Sequence, residues 1–291
     1  MPREKTIELL LFSASLTALF ILAGIFIFLF TSGINAFSEI SLWQFLLGTE
    51  WNPTSYSSPK WGMLSLFAGT LILAVGSLIF SVPLGIVSAI YLAEIAPNKI
   101  KEIIKPTIEM LAGIPSVILG LIGLLFFAPL IAKIFHLNIG LNALTASIIV
   151  GVMALPTIVS LSEDVITSLP KDFREASFSL GATKWQTIKM VLLPASLSGI
   201  MAAVMLGLGR IIGETMVVLM IAGNSIAFPL SFFDPIRPIT ANIAIEINEV
   251  VKGSLHYHAL LAMGFVLFAM TFVINFISDI IIEKQATKYK W

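Results

Sequence analysis

Long apolar runs separated by short polar stretches dominate the pattern of hydrophobic positions along this chain. Several runs exceed about 18 residues, the length that an α-helix needs to cross the hydrocarbon core of a membrane. The pattern predicts six membrane helices, over residues 8–31, 64–93, 107–132, 141–162, 188–223 and 258–282. Pro83 in the second helix and Pro115 and Pro129 in the third are expected to kink them, because proline removes a backbone donor.

Composition supports an all-α integral membrane protein. Hydrophobic residues make up 57% of the chain and charged residues 12%, against about 25% charged residues in soluble domains. Cysteine is absent, which excludes disulfides, thiolate metal sites and cysteine nucleophiles. The formal net charge of zero gives no pull toward nucleic acid. The first apolar run is too long for the core of a signal peptide, so we expect a retained helix.

The distribution of basic residues predicts the orientation in the membrane. With a cytoplasmic N-terminus, the inner segments hold twelve lysines and arginines, the outer segments hold four, and Arg210 lies within a span. Because cytoplasmic loops carry the excess of positive charge, both termini are predicted to be cytoplasmic. In the outer segments, Trp43, Trp51 and Trp61 are candidate interfacial anchors. Residues 239–251 have apolar positions at helical spacing, which predicts a short amphipathic helix that either caps the bundle or contacts a partner.

The segment EDVITSLPKDFREASFSLGATKWQT, residues 163–187, is the most polar inner stretch. Ser168 is placed to cap a helix that begins near Pro170, and Gly181 is placed to end it. A second helix is expected from about Thr183 into the membrane. The aromatic residues Phe173, Phe178 and Trp185 are expected to be exposed beside charges, which is typical of a surface that docks into a partner.

The same segment carries a recognisable motif. The segment resembles the EAA motif of ABC-importer permeases, which has the pattern E-A-A-x3-G-x9-I-x-L-P. Here the pattern begins with Glu175, Ala176 and Ser177 and continues after three residues with Gly181. After nine more residues it ends with VLLP, whose last two residues are Leu193 and Pro194. Ser177 and Val191 replace the usual Ala and Ile. The resemblance implies that residues 170–184 form a coupling helix that rests on an ATPase subunit.

Further stretches resemble the permeases of phosphate importers. LAGIPSVILGLIGLL (111–125) is similar to their third-helix signature. Similarity to the PstC-type subunit is carried by LGRIIGETMVVLMIAGN (208–224), TANIAIEINE (240–249) and GSLHYHALLAMGFVLF (253–268). This resemblance implies a type I, MetI-like permease fold, with residues 1–60 as first helix and external loop, 61–283 as permease core and 284–291 as cytoplasmic tail. It also implies a complex with a PstA-type permease, two PstB-type ATPase subunits and a PstS-type phosphate-binding protein. The ATPase would hydrolyse ATP with magnesium, and this chain would bind no cofactor.

Arg210 and Glu214 stand inside an apolar run, where a charge costs roughly 2.5–3.5 kcal/mol. A spacing of four places the two residues on one helical face, so they are predicted to pair. That face lies near a stripe of small residues that marks close helix packing, so both are predicted to face protein or water rather than lipid. The stripe consists of Ala195, Gly199, Ala203 and Gly207. One interpretation is a buried ion pair that locks two helices. In the other, Arg210 contacts phosphate transiently through its planar fork of donors, and Glu214 orients it. The resemblance favours the substrate path.

Other functions receive less support. The chain has no G-x4-G-K-[ST] loop, HExxH motif or evident catalytic triad, so we expect no enzyme activity. His256 and His258 flank Tyr257, but a metal site would need more ligands. Glu109 and Asp279 are expected at the cytoplasmic surface. Arg237 is either an external contact to phosphate or to a binding protein, or a rim charge. Alternatives left open are a molybdate or sulfate permease, the paired PstA-type subunit, and a secondary phosphate transporter, although no inverted repeat is evident.

Overall fold

The computed structural model describes the backbone of residues 2–288 and the side chains of residues 7–280. The α-helices described are α1 (Pro2–Ile34), α2 (Leu42–Leu47), α3 (Leu64–Ile90), α4 (Asn98–Leu111), α5 (Ser116–Ile122), α6 (Ala128–Ile134), α7 (Ala143–Ser168), α8 (Lys171–Ser179), α9 (Lys184–Thr187), α10 (Leu193–Gly213), α11 (Met216–Ile221), α12 (Ile239–Glu246) and α13 (Leu255–Lys288). Residues Asn35–Ser38 form a 3₁₀ turn, and Tyr91–Ile95, Gly123–Phe127 and Ile188–Leu192 form π-helical turns. Strands β1 (Trp51–Asn52) and β2 (Lys60–Trp61) pair antiparallel.

Within the described residues, six helical segments are long and apolar enough to cross a membrane, as predicted. They are Ile7–Ser38, Leu64–Ile95, Ser116–Ile134, Ala143–Ser168, Lys184–Gly213 and Leu255–Ile280. The cytoplasmic placement of both termini stays a prediction. The tail at 284–291 and the basic residues Arg3 and Lys5 lie outside the residues whose side chains are described.

The third predicted helix is wrong at its start, because residues 107–132 span a break. The amphipathic helix α4 ends at Leu111, and α5 begins only at Ser116. Pro115 does not kink a continuous helix; it stands at the N-cap with extended backbone, and a proline also disfavours helical geometry at Ile114 before it. Pro83 does lie inside α3, while Pro129 stands in the first turn of α6.

The chain divides into two compact units, residues up to Leu64 with Ile243–Met270, and Ser65–Asn242 with the residues from Thr271. In the first unit, α1 and α13 approach closely, since a Cβ atom on Gly33 would lie 2.9 Å from the Cα of Ala262. Trp51 is buried, so its predicted role as an interfacial anchor is wrong. Its indole Nε1 donates to both carboxylate oxygens of Glu246, at 3.1 and 3.0 Å.

The second unit is built around the buried helix α7. A Cβ atom on Gly76 of α3 would lie 2.3 Å from Ser147 Oγ, and one on Gly85 would lie 2.6 Å from Ile158 Cγ2. Helix α10 also packs against α7 through its small residues, because a Cβ atom on Gly199 would lie 2.5 Å from Val165 Cγ1. The close packing predicted for the small-residue stripe is confirmed, and small residues let membrane helices approach in this way.

Candidate substrate path and coupling surface

The helix that carries Arg210 ends sooner than predicted. Residues 188–223 do not form one helix, because α10 ends at Gly213 and Glu214 has extended backbone, with φ −70° and ψ 129°. Thr215 follows with φ −120° before α11 begins at Met216. Glycine is a weak helix former and threonine loses side-chain freedom in a helix, so Gly213-Glu214-Thr215 is a local weak point within the apolar run.

The predicted pairing of Arg210 with Glu214 is wrong, because the two residues no longer share a helical face. Glu214 Oε1 accepts a hydrogen bond from the backbone N–H of Val217 at 3.0 Å, which satisfies a donor in the first turn of α11. The carbonyl of Glu214 accepts from the Thr240 hydroxyl at 3.0 Å. Glu214 therefore stabilises the helix break.

Arg210 lies between two helix breaks. It stands in the last turn of α10, and its Nη2 donates to the carbonyl of Ala112 at 3.3 Å, within the break that separates α4 from α5. A guanidinium has five N–H donors, and among the described residues the structure assigns a partner to one nitrogen of Arg210. The side chain is half-buried. The arrangement leaves a planar, permanently charged group with donors to offer to an oxyanion.

The polar segment between α7 and α10 folds largely as its local sequence predicts. Helix α8 covers Lys171–Ser179 with Pro170 at its N-cap, and Gly181 follows with φ +81°, the left-handed conformation that ends helices. Ser168 is not the cap; it is the last residue of α7, and its hydroxyl donates to the Val165 carbonyl. Thr183 begins α9 with a capping box, in which its side chain and that of Gln186 each accept a backbone N–H bond.

The motif residues of this segment divide into an outer and an inner set. Glu175, Ala176 and Gly181 are exposed, together with Phe178, Leu180 and Trp185, which are 49%, 90% and 63% exposed. Phe173 is half-buried, so the expectation that it is exposed is wrong. These side chains leave an apolar surface beside charges on α8 and α9, as a docking surface requires.

The inner set holds the segment to the membrane helices. The Ser177 hydroxyl is buried and lies 2.9 Å from the hydroxyl of Thr187, across the α8–α9 turn. Leu193 packs against the buried residues Ala89, Ile166 and Ile200, and Pro194 stands in the first turn of α10. The Ser177–Thr187 contact therefore joins α8 to α9, and the chain continues from α9 through Ile188–Leu192 into α10.

Two ionic clusters escaped the sequence interpretation. Arg174 on α8 donates from Nη2 to Glu94 Oε1 at 2.6 Å. Lys105 on α4 contacts Glu163 and Asp164 of α7, and Lys101 also contacts Glu163. The paired residues are 58 to 80 positions apart in the chain, so no spacing of neighbouring residues predicts these ion pairs. The only available signal was the recurrence of lysine at positions 101 and 105, one helical turn apart.

Of the remaining predicted positions, Glu109, His256 and His258 make polar contacts, and Asp279 is exposed. Glu109 accepts from the Ser160 hydroxyl at 3.1 Å, and Asp279 is exposed on α13. His256 Nε2 lies 2.8 Å from Glu246 Oε2, and His258 Nδ1 lies 2.8 Å from the Ser32 carbonyl.

The external segment differs from its prediction in length. Arg237 donates to the Asn224 carbonyl at 2.9 Å and to the Asn242 side chain, which fixes it within the fold. The helix predicted over 239–251 ends at Glu246, with Ile239 and Asn242 buried.

Comparison with known proteins identifies the fold and family. Residues 81–290 match the family of binding-protein-dependent transport system inner membrane components. The probable ABC transporter permease protein YqgH of Bacillus subtilis is 42% identical over 86% of this chain and 81% of its own length. The phosphate transport system permease protein PstC of Mesorhizobium japonicum is 37% identical over 90% of this chain and 84% of its own length. PstC of Haemophilus influenzae is 36% identical over 94% and 93%.

Solved structures agree on the architecture. A bacterial ABC transporter that imports alginate aligns with a TM-score of 0.62 at 17% identity, over 92% of this chain and 94% of the other. The MetNI methionine ABC transporter aligns with a TM-score of 0.56 at 20% identity, over 77% and 94%. The predicted ABC-importer permease fold is confirmed. The protein is a multi-pass membrane protein that belongs to the family of binding-protein-dependent transport system inner membrane components, in its PstC-type branch.

Proposed function

We propose that this chain is the transmembrane permease subunit of an ATP-driven importer of inorganic phosphate. The observation that carries the proposal is the similarity to PstC proteins of phosphate transport systems, at 36–37% identity over at least 90% of the chain. In this proposal the chain itself catalyses no reaction. ATP is hydrolysed by partner ATPase subunits, a second, PstA-type permease completes the pathway, and a phosphate-binding protein delivers the substrate from outside.

The position of Arg210 supports an anion path. Transporters commonly bind substrate where membrane helices are interrupted, and Arg210 touches the break at Ala112 and precedes the break at Glu214. Its fork of donors matches the oxygens of phosphate and keeps its charge when the ligand arrives. Among the described residues no ion pair joins Arg210 to Glu214, so the guanidinium stays available to an anion. The role first assigned to Glu214, orienting Arg210, is replaced by that of fixing the helix break.

The exposed surface of α8 and α9 supports coupling to an ATPase. Glu175, Ala176 and Gly181 lie on the outer side, where a partner can reach them, while Ser177, Leu193 and Pro194 connect inward. Closure of two ATPase subunits would press on α8, and α10 would carry the displacement toward Arg210. The path would thereby alternate between outward and inward access.

The decisive experiment is phosphate uptake into proteoliposomes that contain this chain, its ATPase, its second permease and its binding protein. We expect uptake that requires ATP and a binding protein loaded with phosphate. Uptake by this chain alone, driven by an ion gradient, would replace the proposal with a secondary transporter. Transport of molybdate or sulfate in preference to phosphate would change the substrate class.

Arg210→Gln tests the substrate contact within that system. We expect uptake to fall to background while the complex still purifies whole, because the lost group is a ligand rather than half of a locked ion pair. Glu214→Gln is the matched comparison, since a glutamine oxygen still accepts from Val217, and it should retain most uptake. Normal phosphate uptake by the Arg210→Gln variant would show that Arg210 is not needed as a substrate contact. A complex that fails to assemble would assign it a structural role.

A further inference from the structure

Arg174 makes an unusual set of contacts for a residue on the proposed coupling helix. Its Nε and Nη2 donate to the same carboxylate oxygen of Glu94, at 2.9 and 2.6 Å. Its Nη1 donates to the Leu169 carbonyl at 3.0 Å, and Nη2 also donates to the Ile166 carbonyl at 2.9 Å. One guanidinium therefore joins α8 to the π-helical turn that ends α3 and to the last turn of α7.

The environment makes this connection stiff. The side chains of Arg174 and Glu94 are only 20% and 10% exposed, so water competes weakly for their charges. Hydrogen bonds between ionised groups are short and strong, and the rigid fork of arginine loses little freedom when it forms several at once. Removing either partner would leave a largely buried charge without compensation, which disfavours any movement that separates them.

The contacts lie at a junction of membrane helices. The Ile166 side chain is buried with Ala89 of α3 and Ile200 of α10, and its carbonyl is one of the two that Arg174 caps. The other elements at this junction, α3 and α7, are also the helices that pack closely through Gly76 and Gly85. A displacement of Arg174 therefore acts on a packed three-helix contact.

We propose that Arg174 is a positioning residue for energy coupling, which transmits movement of α8 directly into α3 and α7 through Glu94 and the end of α7. This route runs beside the covalent route through α9 into α10, so that α8 moves three membrane helices together. The proposal rests on the proposed function, because it takes α8 as the surface on which the ATPase acts. Arg174 differs from the motif residues Glu175 and Gly181, because its side chain is largely buried whereas they are exposed where the partner would bind.

The test is the ratio of phosphate transported to ATP hydrolysed, measured on the complete importer in proteoliposomes. We expect Arg174→Ala to lower this ratio by about tenfold, while ATP hydrolysis continues and the ATPase still co-purifies. Lys99→Ala is the matched control, because Lys99 is an exposed cation on α4, outside the proposed docking surface. Its ratio should equal that of the wild type.

Two conservative variants separate the contacts. Glu94→Gln removes the ion pair but leaves the capped carbonyls, and Arg174→Lys keeps a charge for Glu94 but loses the fork that reaches both carbonyls. We expect both ratios to fall between those of the wild type and Arg174→Ala. In the double variant Glu94→Gln with Arg174→Ala, the loss should match that of Arg174→Ala alone, since the second change removes a contact already lost.

The outcomes distinguish the two proposals. If the wild-type complex takes up no phosphate with ATP, the proposed function fails. If the wild type transports and Arg174→Ala keeps a normal ratio, only the role of Arg174 is overturned. Should Arg174→Ala fail to assemble, the ratios of Glu94→Gln and Arg174→Lys decide, and wild-type ratios in both would refute the positioning role.

Discussion

The ionic cluster between α4 and α7 predicts a stability change with a distinctive pH dependence. Lys105 Nζ lies 2.5 Å from Glu163 Oε2 and 2.5 Å from Asp164 Oδ1, and the Glu163 side chain is only 2% exposed. Burial alone would lower the pKa of Lys105. Hydrogen bonds to Asp164 and Glu163 outweigh this effect and raise the pKa from 10.5 to about 12.

This rise sets the magnitude expected for Lys105→Met. A pKa raised from 10.5 to about 12 corresponds to about 2 kcal/mol of folding free energy. Because the lysine gains its partners on folding, this stabilisation is fully present below pH 10.5 and is lost as the pH rises through 12. For a chain of this size the loss at pH 8 should lower the melting temperature by roughly 4–8 °C.

The assay is thermal unfolding of the purified complex in detergent, for the wild type, Lys105→Met and the control Lys99→Met. Lys99 is exposed on the same helix, so its variant should melt within about 1–2 °C of the wild type, since exposed charges contribute little. The difference between the wild type and Lys105→Met should shrink between pH 10.5 and 12. An equal difference at pH 8 and pH 12, or no difference at pH 8, would refute the reasoning.

Four further substitutions test the packing of α10 and the α8–α9 segment. Gly199→Ala should destabilise the chain by roughly 1–3 kcal/mol, because its Cβ atom meets a stiff valine of α7, whereas Gly209→Ala, with no atom within 4 Å, should be neutral or stabilising in the same melting assay. Ser177→Ala should cost less than about 1 kcal/mol, because the Thr187 hydroxyl keeps its bond to a backbone carbonyl, and a larger loss would contradict this account. Thr183→Ala removes the capping box and should cost about 1 kcal/mol, visible as faster amide hydrogen exchange in α9.

The sequence predicts those features that depend on neighbouring residues. Apolar runs are long enough to identify the six spans, and Gly181 and Thr183 carry turn and cap chemistry that functions within a few residues. The break at Glu214 lies inside an apolar run, where hydrophobicity stays high and only weak helix propensity marks the interruption. The break at Ala112 is marked by Pro115, but a proline in an apolar run is equally compatible with a kink inside one helix. Pairing of Arg210 with Glu214 was predicted from helical spacing, which fails once the helix ends between them.

The contacts that hold the α8–α9 segment could not be predicted from nearby residues. Arg174 forms an ion pair with Glu94, which lies 80 residues away in the chain. The sequence around each residue predicts only a solvated charge next to a membrane helix. Only the folded arrangement of α3, α7 and α8 brings them together. The long-range ionic contacts therefore require the structure, while the exposed motif surface does not.

The π-helical turn at Ile188–Leu192 determines how the two ends of the membrane span Lys184–Gly213 are rotated relative to each other around the helix axis. A π turn closes i→i+5 hydrogen bonds and so accommodates one residue more than an α-helical turn. Each residue of an α-helix rotates the chain by about 100°. Deleting one residue within Ile188–Leu192 would restore regular winding and rotate Trp185 about the axis relative to Arg210. The π-helical turn thus sets the angle around the helix axis between Trp185, on the exposed surface of α8 and α9, and Arg210 on α10.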